Sequence, residues 1–330
     1  MISTIMRVSP TLPMFKYNPS QLMRRIYSTR NVKCKIWQMT EAEIITIVRR
    51  MENTGWDIPL VSTLAKYHLS PHLALAAELD GETVGHLLGC EWSQNLVTLG
   101  NLFVREENRG LGIGELLRQA NRDQVLTKVR AASIIPEQLK ASAKVGLQFL
   151  SPTRIRSLMG NVCTDNLPTM KLPSDVEIFC YTDKILEAIT EYDIRINTIA
   201  SRGNFLKTCF DSPGVISRVA VRNTDSECDV VGYGALLPVK SGWRLEPLYA
   251  DSWEIGLSIL IELITSLPDK TPTVFLQVPH TNEMMSIFTN LGLKGRGVGD
   301  MYRVATEENF DLNIPMKKVF AVWGTEGTFI

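Results

Sequence analysis

Residues 99–117 read LGNLFVREENRGLGIGELL, and the turn inside them, Arg109-Gly110-Leu111-Gly112-Ile113-Gly114, constrains the chain more than any other segment. An apolar run from Leu99 to Val104 enters the turn as a strand. A helix leaves it with Ile113, Leu116, Leu117 and Ala120 on one stripe, the i, i+3, i+4, i+7 spacing of an amphipathic helix. Glycines at alternate positions let the main chain come close to a ligand. The first N–H groups of the helix lack intrahelical acceptors and lie at the positive end of its dipole. A strand–turn–helix corner of this kind suits a pair of linked phosphates.

Three glycine-rich phosphate turns compete for this reading. A P-loop continues with Lys-Ser or Lys-Thr after its last glycine, whereas Glu115-Leu116 follows here. A dinucleotide fingerprint reads G-x-G-x-x-G, with an acidic residue about 20 positions on. This turn reads G-x-G-x-G and is followed by Lys128 and Arg130. The arginine-led turn of acetyl-CoA-dependent transferases remains. Arg109 through Gly114 fit each position of R/Q-x-x-G-x-G/A, and the segment resembles the cofactor motif of the GNAT superfamily of N-acetyltransferases. The resemblance implies acetyl-CoA as co-substrate, its pyrophosphate held by the amides of Arg109, Gly110, Leu111, Gly112, Ile113 and Gly114. It also implies that the pantetheine arm pairs with the main chain of Leu102, Phe103 and Val104. Arg105, Arg118 and Arg122 are expected to add positive charge for the terminal phosphates.

A length of 330 residues favours two domains, and 45% hydrophobic with 21% charged residues fits a globular protein. The formal net charge is zero, which argues against nucleic acid as the main partner. No apolar run approaches the roughly 18–20 residues that a membrane-spanning helix needs, so no membrane association is expected. Six cysteines without a C-x-x-C pair offer neither metal spacing nor a disulfide framework. His68 and His72 are separated by Pro71, which breaks a helical metal pair, and no metal site is expected. Residues 1–33 form a basic extension, with no acidic residue before Glu41. Its arginine- and serine-rich character, a short basic stretch at 19–27 that could form an amphipathic helix, and Arg25-Ile26-Tyr27-Ser28 suit a mitochondrial transit peptide. A basic extension carrying no address fits as well, which leaves a mitochondrial and a cytoplasmic location open.

From Cys34 the elements follow in order. A strand at 34–39 precedes Thr40-Glu41-Ala42-Glu43, a capping box that opens a helix to about Asn53. A second helix is expected at 59–68, then a hairpin of 73–79 and 83–91 around Asp80-Gly81, and a strand at 97–104. The helix after the glycine turn is read from Gly112 to about Val129. The first domain, 34–150, has the element order of the GNAT fold from its start through its cofactor helix. Residues 151–174, with Pro152, Pro168 and Pro173, read as a connector. The pattern then returns: Val84-Gly85-His86 is echoed by Val231-Gly232-Tyr233, and Leu99 to Val104 by Leu245 to Ala250. Residues 175–330 are therefore expected to hold a second, divergent copy. This stretch, with Val278-Pro279-His280-Thr281-Asn282, resembles the second half of tandem GNAT proteins. Without gaps Arg109 falls on Ile255, Gly112 on Ser258 and Gly114 on Leu260, so the second copy is expected to have lost the phosphate turn.

The expected architecture is α/β, two tandem GNAT-like folds with mixed sheets. The expected activity is acetyl transfer from acetyl-CoA to an amine, on a small molecule or a protein. The alternative is a CoA-binding regulatory protein without transfer. Many GNAT members carry a general acid in Tyr-x-x-x-Gly-Phe; Ser142 and Phe288 fall at that tyrosine here, which puts the usual acid in doubt. Glu91, near a strand end, is the candidate base, with a solvated carboxylate as the plainer role. Asn101 could orient a substrate. Trp56 and Trp92 are read as core residues before pocket residues, and Asn282 as a helix cap before a cofactor contact. Acceptor identity and oligomeric state are left open.

Overall fold

The computed structural model describes residues 25–28, 33–53, 56–125, 129–198, 200–223, 228–308, 310 and 313–324. The first half runs β1 (Arg25–Ser28), β2 (Lys33–Gln38), α1 (Glu41–Asn53), α2 (Leu60–Leu69), β3 (Ala74–Leu79), β4 (Glu82–Glu91), β5 (Leu96–Val104), α3 (Ile113–Arg122), β6 (Val129–Ile134), α4 (Leu139–Lys144) and β7 (Phe149–Asn161). The second runs β8 (Val176–Cys180), α5 (Leu186–Asn197), α6 (Gly203–Phe210), β9 (Ile216–Asn223), β10 (Cys228–Val239), β11 (Gly242–Ala250), α7 (Trp253–Thr265), β12 (Thr273–Pro279), α8 (Met285–Asn290), β13 (Lys294–Ala305) and β14 (Val319–Ala321).

Local chemistry sets several of these boundaries. Thr40 N–H donates to Glu43 Oε2 at 2.7 Å and Glu43 N–H to Thr40 Oγ1 at 3.4 Å, the reciprocal box that starts α1. Asp80 and Gly81 both take positive φ, 52° and 85°, as a tight hairpin turn between β3 and β4 demands. The period-two alternation of β3 sorts its neighbours: Leu75 and Ala77 pack with Leu116 and Leu117 of α3. Ala74 and Ala76 pack with Ile44, Ile47 and Met51 of α1. Helices α1 and α3 therefore cover opposite faces of the sheet.

The strands form one sheet in the order β1-β2-β3-β4-β5-β6-β13-β7-β12-β11-β10-β9-β8. Apart from β1, this order is symmetric about its middle. Among the described residues its parallel pairs are β5 with β6 and β11 with β12, and they occupy equivalent places. One long strand of each half crosses the centre: β13 lies between β6 and β7, while β7 lies between β13 and β12. Each half thus completes the sheet of the other.

Three sequence expectations change here. Residues 149–161, read largely as connector, form a central strand paired with β12 on one side and β13 on the other. Pro152 misled because proline cannot donate in a ladder. It sits where β7 has only β13 beside it, at a register shift between Tyr302 and Val304, and pairing with β12 starts only at Ile155. Helix α3 stops at Arg122 and Val129 opens β6, so the helix ends about two turns before the expected point. The run Val129 to Ile134 was missed as a strand because it follows the helix so closely. In the extension, Arg25–Ser28 is an edge strand antiparallel to β2, with Tyr27 OH on Asp123 Oδ2 at 3.1 Å, so these residues belong to the fold and are not helical. The rest of the extension up to residue 24 lies outside the described residues.

Candidate active site

Strands β5 and β6 pair in parallel from Leu96 opposite Val129 to Leu99 opposite Ala132, and then part. At the parting, β5 carries an extra residue against β4 between Gly100 and Phe103, and Asn101 takes a left-handed φ of 49°. A cavity of about 530 Å³ fills the resulting V. Its walls come from β5 (Asn101, Phe103), from α4 (Ser142), from α1 and the loop after it (Met51, Trp56) and from Met301 of β13. Because α1 and α4 belong to opposite faces, the cleft passes through the sheet. Two polar atoms in its walls, Asn101 Nδ2 and Ser142 Oγ, are buried and have no partner among the described residues. An unpaired buried donor costs about 1–3 kcal/mol, so such atoms mark a place where a ligand can supply the missing bond.

A second cavity of about 330 Å³ adjoins the first, sharing Val104, Arg109 and Arg118 as walls. It lies over the glycine turn. Gly110 and Gly112 have φ of 80° and 90°, where a Cβ is strained, and Gly112 is the N-cap of α3. A glycine cap has no side chain to spend on the helix, and the amides of Gly110, Gly112, Ile113 and Gly114 meet no acceptor among the described residues. Arg109 plays another part than expected. Its N–H donates to Glu106 O at 3.1 Å and its Nε to Val104 O at 3.2 Å, so it ties the turn to the end of β5. Arg118 also lines both cavities, and burial lowers its pKa. Free amides at a helix N-terminus with an arginine beside them fit an anionic, phosphate-bearing ligand.

The equivalent V in the second half is filled by the chain itself. Strands β11 and β12 pair from Trp243 opposite Val274 to Leu245 opposite Leu276, and β14 enters where they part. Leu248 faces Ala321 and Tyr249 faces Val319, while Val322 N–H donates to Gln277 O at 2.8 Å. Asn282 Nδ2 donates to the carbonyls of Val319 and Phe320 at 3.2 and 2.9 Å, and its Oδ1 accepts from Met284 N–H at 2.8 Å. Asn282 therefore caps the turn into α8 and also grips the inserted strand. Phe320 lies on Gly256 of α7, and Trp323 meets Phe205 edge to face with ring centroids 4.7 Å apart. The N-terminus of α7 is capped by Ser252, whose Oγ accepts from Ile255 N–H at 3.5 Å. Loss of the glycine turn was legible in the sequence; the strand that occupies the cleft was not.

A protein-family profile described as an acetyltransferase (GNAT) domain matches residues 189–309. Its span lies in the second half, and the first half repeats the same order of strands, helices and V. Residues 189–309 thus carry a GNAT acetyltransferase domain, and the chain as a whole has the tandem GNAT fold. Solved structures agree on the fold. A Pyrococcus horikoshii protein described as a candidate acetyltransferase aligns with a TM-score of 0.69 at 14% identity, over 92% of this chain and 98% of that one. A tandem GNAT protein from the clavulanic acid biosynthesis pathway aligns at 0.59 and 12% identity, over 83% and 99%. An N-acetyltransferase of the family from Sphaerobacter thermophilus aligns at 0.56 and 14%, over 85% and 98%. No curated protein matches the chain.

Within this tandem fold, Leu102, Phe103, Val104 and Arg109 line the larger cavity, and Gly110, Gly112, Ile113 and Gly114 the smaller. Leu111 lines neither and packs against the core under α3. Glu91 is not brought to the cleft. Strand β4 runs antiparallel to β5, so Gly85 to Leu88 flank the diverging end, while Glu91 sits opposite Val97 at the other. Its carboxylate lies 3.6 Å from His72 Nε2. Arg105 is taken by Glu82 at 2.7 Å, and neither it nor Arg122 lines either of these two cavities. Trp92 is core, with Nε1 on Thr98 Oγ1 at 2.7 Å. Trp56 is not: it is 48% exposed and lines the larger cavity. His86, behind Phe103 with rings 5.3 Å apart, is a buried imidazole whose pKa burial and Arg50 push down to about 3. No cluster that could hold a metal ion occurs among the described residues. Sequence reasoning missed Met301, since nothing local to β13 points to the first half.

Proposed function

We propose that the first half binds acetyl-CoA in the V between β5 and β6 and transfers its acetyl group to an amine. One observation carries this reading: the first V is open and ends on a turn with free amides, whereas the second is shut. The amides of Gly110, Gly112, Ile113 and Gly114, with Arg118, would hold the phosphates, and the main chain of Leu102 to Val104 the pantetheine arm. In the transfer, the lone pair of a neutral amine forms the new C–N bond to the acetyl carbon and the C–S bond breaks. The nitrogen gives up a proton and the thiolate takes one, so that an amide and the free thiol of CoA leave. Asn101 Nδ2, a donor without a partner among the described residues, would hold a carbonyl oxygen at the parting of the strands. Alignment of two bound reactants supplies much of the acceleration in such a reaction.

The test is calorimetric titration with acetyl-CoA, followed by thiol release in the presence of an amine panel. One molecule bound per chain, and loss of binding in Arg109→Ala/Gly112→Leu with the fold retained by circular dichroism, supports the reading. An unaltered affinity in that variant refutes it. A second reading, a CoA-binding regulatory protein without transfer, is favoured by Ser142 at the place of the usual tyrosine acid. Tight binding with no thiol release across the panel would select it.

A further inference from the structure

We infer that the acceptor of this cleft is a small primary amine carrying an aromatic or bulky aliphatic group, seated against Trp56, Met51, Phe103 and Met301; the inference rests on the transfer reading above. The two ends of the cleft differ in chemistry. The α3 and α4 side carries the glycine turn, Arg109, Arg118 and both carboxylates in the walls of the two cavities, the exposed Glu115 and Glu137. The α1 side presents two thioethers and two aromatic rings. Phe103 stands on that side, because its ring stacks on His86, which feels the charge of Arg50 on α1.

Trp56 is the informative residue. Large apolar side chains left half-exposed singly are ordinary, but this one stands at the mouth of a cavity, where a ligand can cover it. Its position is fixed by the next residue. Asp57 is buried, its Oδ2 lies 3.3 Å from Arg296 Nη1, and its carbonyl accepts from Arg244 Nη1 at 2.9 Å. Both arginines belong to the second half, which thereby sets the first half's acceptor mouth.

The physical selection follows. A second ammonium group, as on a polyamine or a basic peptide, would find no counter-charge among the wall residues of the α1 side, and burying an unpaired charge is costly. An aromatic or branched aliphatic group instead gains by leaving water, and a ring gains further from edge or offset contact with Trp56 and Phe103. The same apolar mouth disfavours the protonated form of the reacting amine and lowers its pKa. The neutral nucleophile then forms without a carboxylate base at that end, which agrees with Glu91 standing elsewhere.

The full chain is first titrated with acetyl-CoA by calorimetry, and thiol release is then followed with phenethylamine, hexylamine, spermidine and a lysine-rich peptide. The expected kcat/KM for phenethylamine exceeds that for spermidine by about tenfold or more, about what one covered aromatic face contributes. Trp56→Ala is expected to lower the phenethylamine value about tenfold through KM with acetyl-CoA binding unchanged, and Trp56→Phe to restore most of it. Trp56→Glu, which puts a carboxylate at the mouth, is expected to shift preference toward spermidine. Equal or better turnover of spermidine or the peptide by the parent protein overturns the inference. So does an unchanged phenethylamine KM in Trp56→Ala, or no turnover of any apolar amine by a chain that binds acetyl-CoA. Failure to bind acetyl-CoA overturns the transfer reading itself, and the calorimetric arm separates that result from the others.

Discussion

The filled second V predicts an energetic coupling between α7 and β14 that a double-mutant cycle can measure. A Cβ added at Gly256 would lie 2.9 Å from Phe320 Cδ2, 3.2 Å from Cε2 and 3.4 Å from Cγ. The ring cannot swing away freely, since it is buried and Asn282 holds the carbonyls of Val319 and Phe320. In an open helix interior, Gly→Ala stabilises by about 1 kcal/mol. Overpacking a tight contact costs about 1–3 kcal/mol, taken here as about 2. Gly256→Ala alone should therefore destabilise by about 1 kcal/mol. Phe320→Ala alone should cost about 3–5 kcal/mol, the usual loss for a buried phenylalanine. With the ring gone the clash is gone, and Gly256→Ala should then stabilise by about 1 kcal/mol. The coupling is the difference, about 2 kcal/mol, well above the few tenths seen between independent sites. Urea unfolding of the four proteins, followed by tryptophan fluorescence and circular dichroism together, measures it. If Gly256→Ala changes stability by the same amount in both backgrounds, Phe320 does not fill the groove as described.

Three further expectations concern other parts of the molecule. His86 has a folded pKa of about 3, below its ordinary 6.5, so its contribution to stability is complete above pH 6.5 and is lost as pH falls toward 3. At about 1.4 kcal/mol per unit, it accounts for about 2 kcal/mol between pH 6.5 and 5, and His86→Gln should flatten the urea stability profile by that amount; a parallel profile would count against it. Asn101→Gly should raise stability by about 1 kcal/mol, through relief of a left-handed residue and an unpaired buried amide, while lowering the rate of thiol release. A fall in melting temperature would contradict that account. Asp193 is buried among Arg202, Tyr233 and Asn197, so Asp193→Ala should cost about 3–5 kcal/mol by stranding the guanidinium, and Arg202→Met in the same chain should recover part of the loss. No recovery in the double variant, read by chemical denaturation, would mean that the pair is not the source of the cost.

What was legible in the sequence was local. The capping box at Thr40 and Glu43, the Asp80-Gly81 turn and the glycine turn after β5 each encode geometry within a few residues, and each is found where it was expected. The elements that escaped take their meaning from distant partners. Strand β7 carries Pro152 and scattered serines, and only its pairing with β12 and β13 makes it central. β14 is a short run of valine, phenylalanine and alanine whose role depends on a V formed some 70 residues earlier. At the site, residue type pointed to the phosphate end, because phosphate binding needs glycine and free amides. It did not point to the proposed acceptor end, where Met51, Trp56 and Met301 are ordinary apolar residues until the fold gathers them. Glu91 failed for a related reason: its chemistry suited a base, but antiparallel strand polarity puts it at the closed end of the hairpin.

The exchange of central strands explains why a copy without an open V still matters to the other. β13 belongs by sequence to the second half, yet it pairs with β6, from Tyr302 opposite Ile134 to Ala305 opposite Ala131. It thereby covers the strand that forms one arm of the open V, and Met301 reaches the cavity wall from it. Arg244 and Arg296, also of the second half, hold Asp57 beside Trp56. A first half cut off at residue 150 would lose β7 and β13 together, exposing the paired edge of β6 and releasing the loop at the mouth of the larger cavity. The second half thus does structural work that its own closed V does not oppose. With β14 seated, it needs no ligand to be packed, and it can serve as a fixed wall for the half that does.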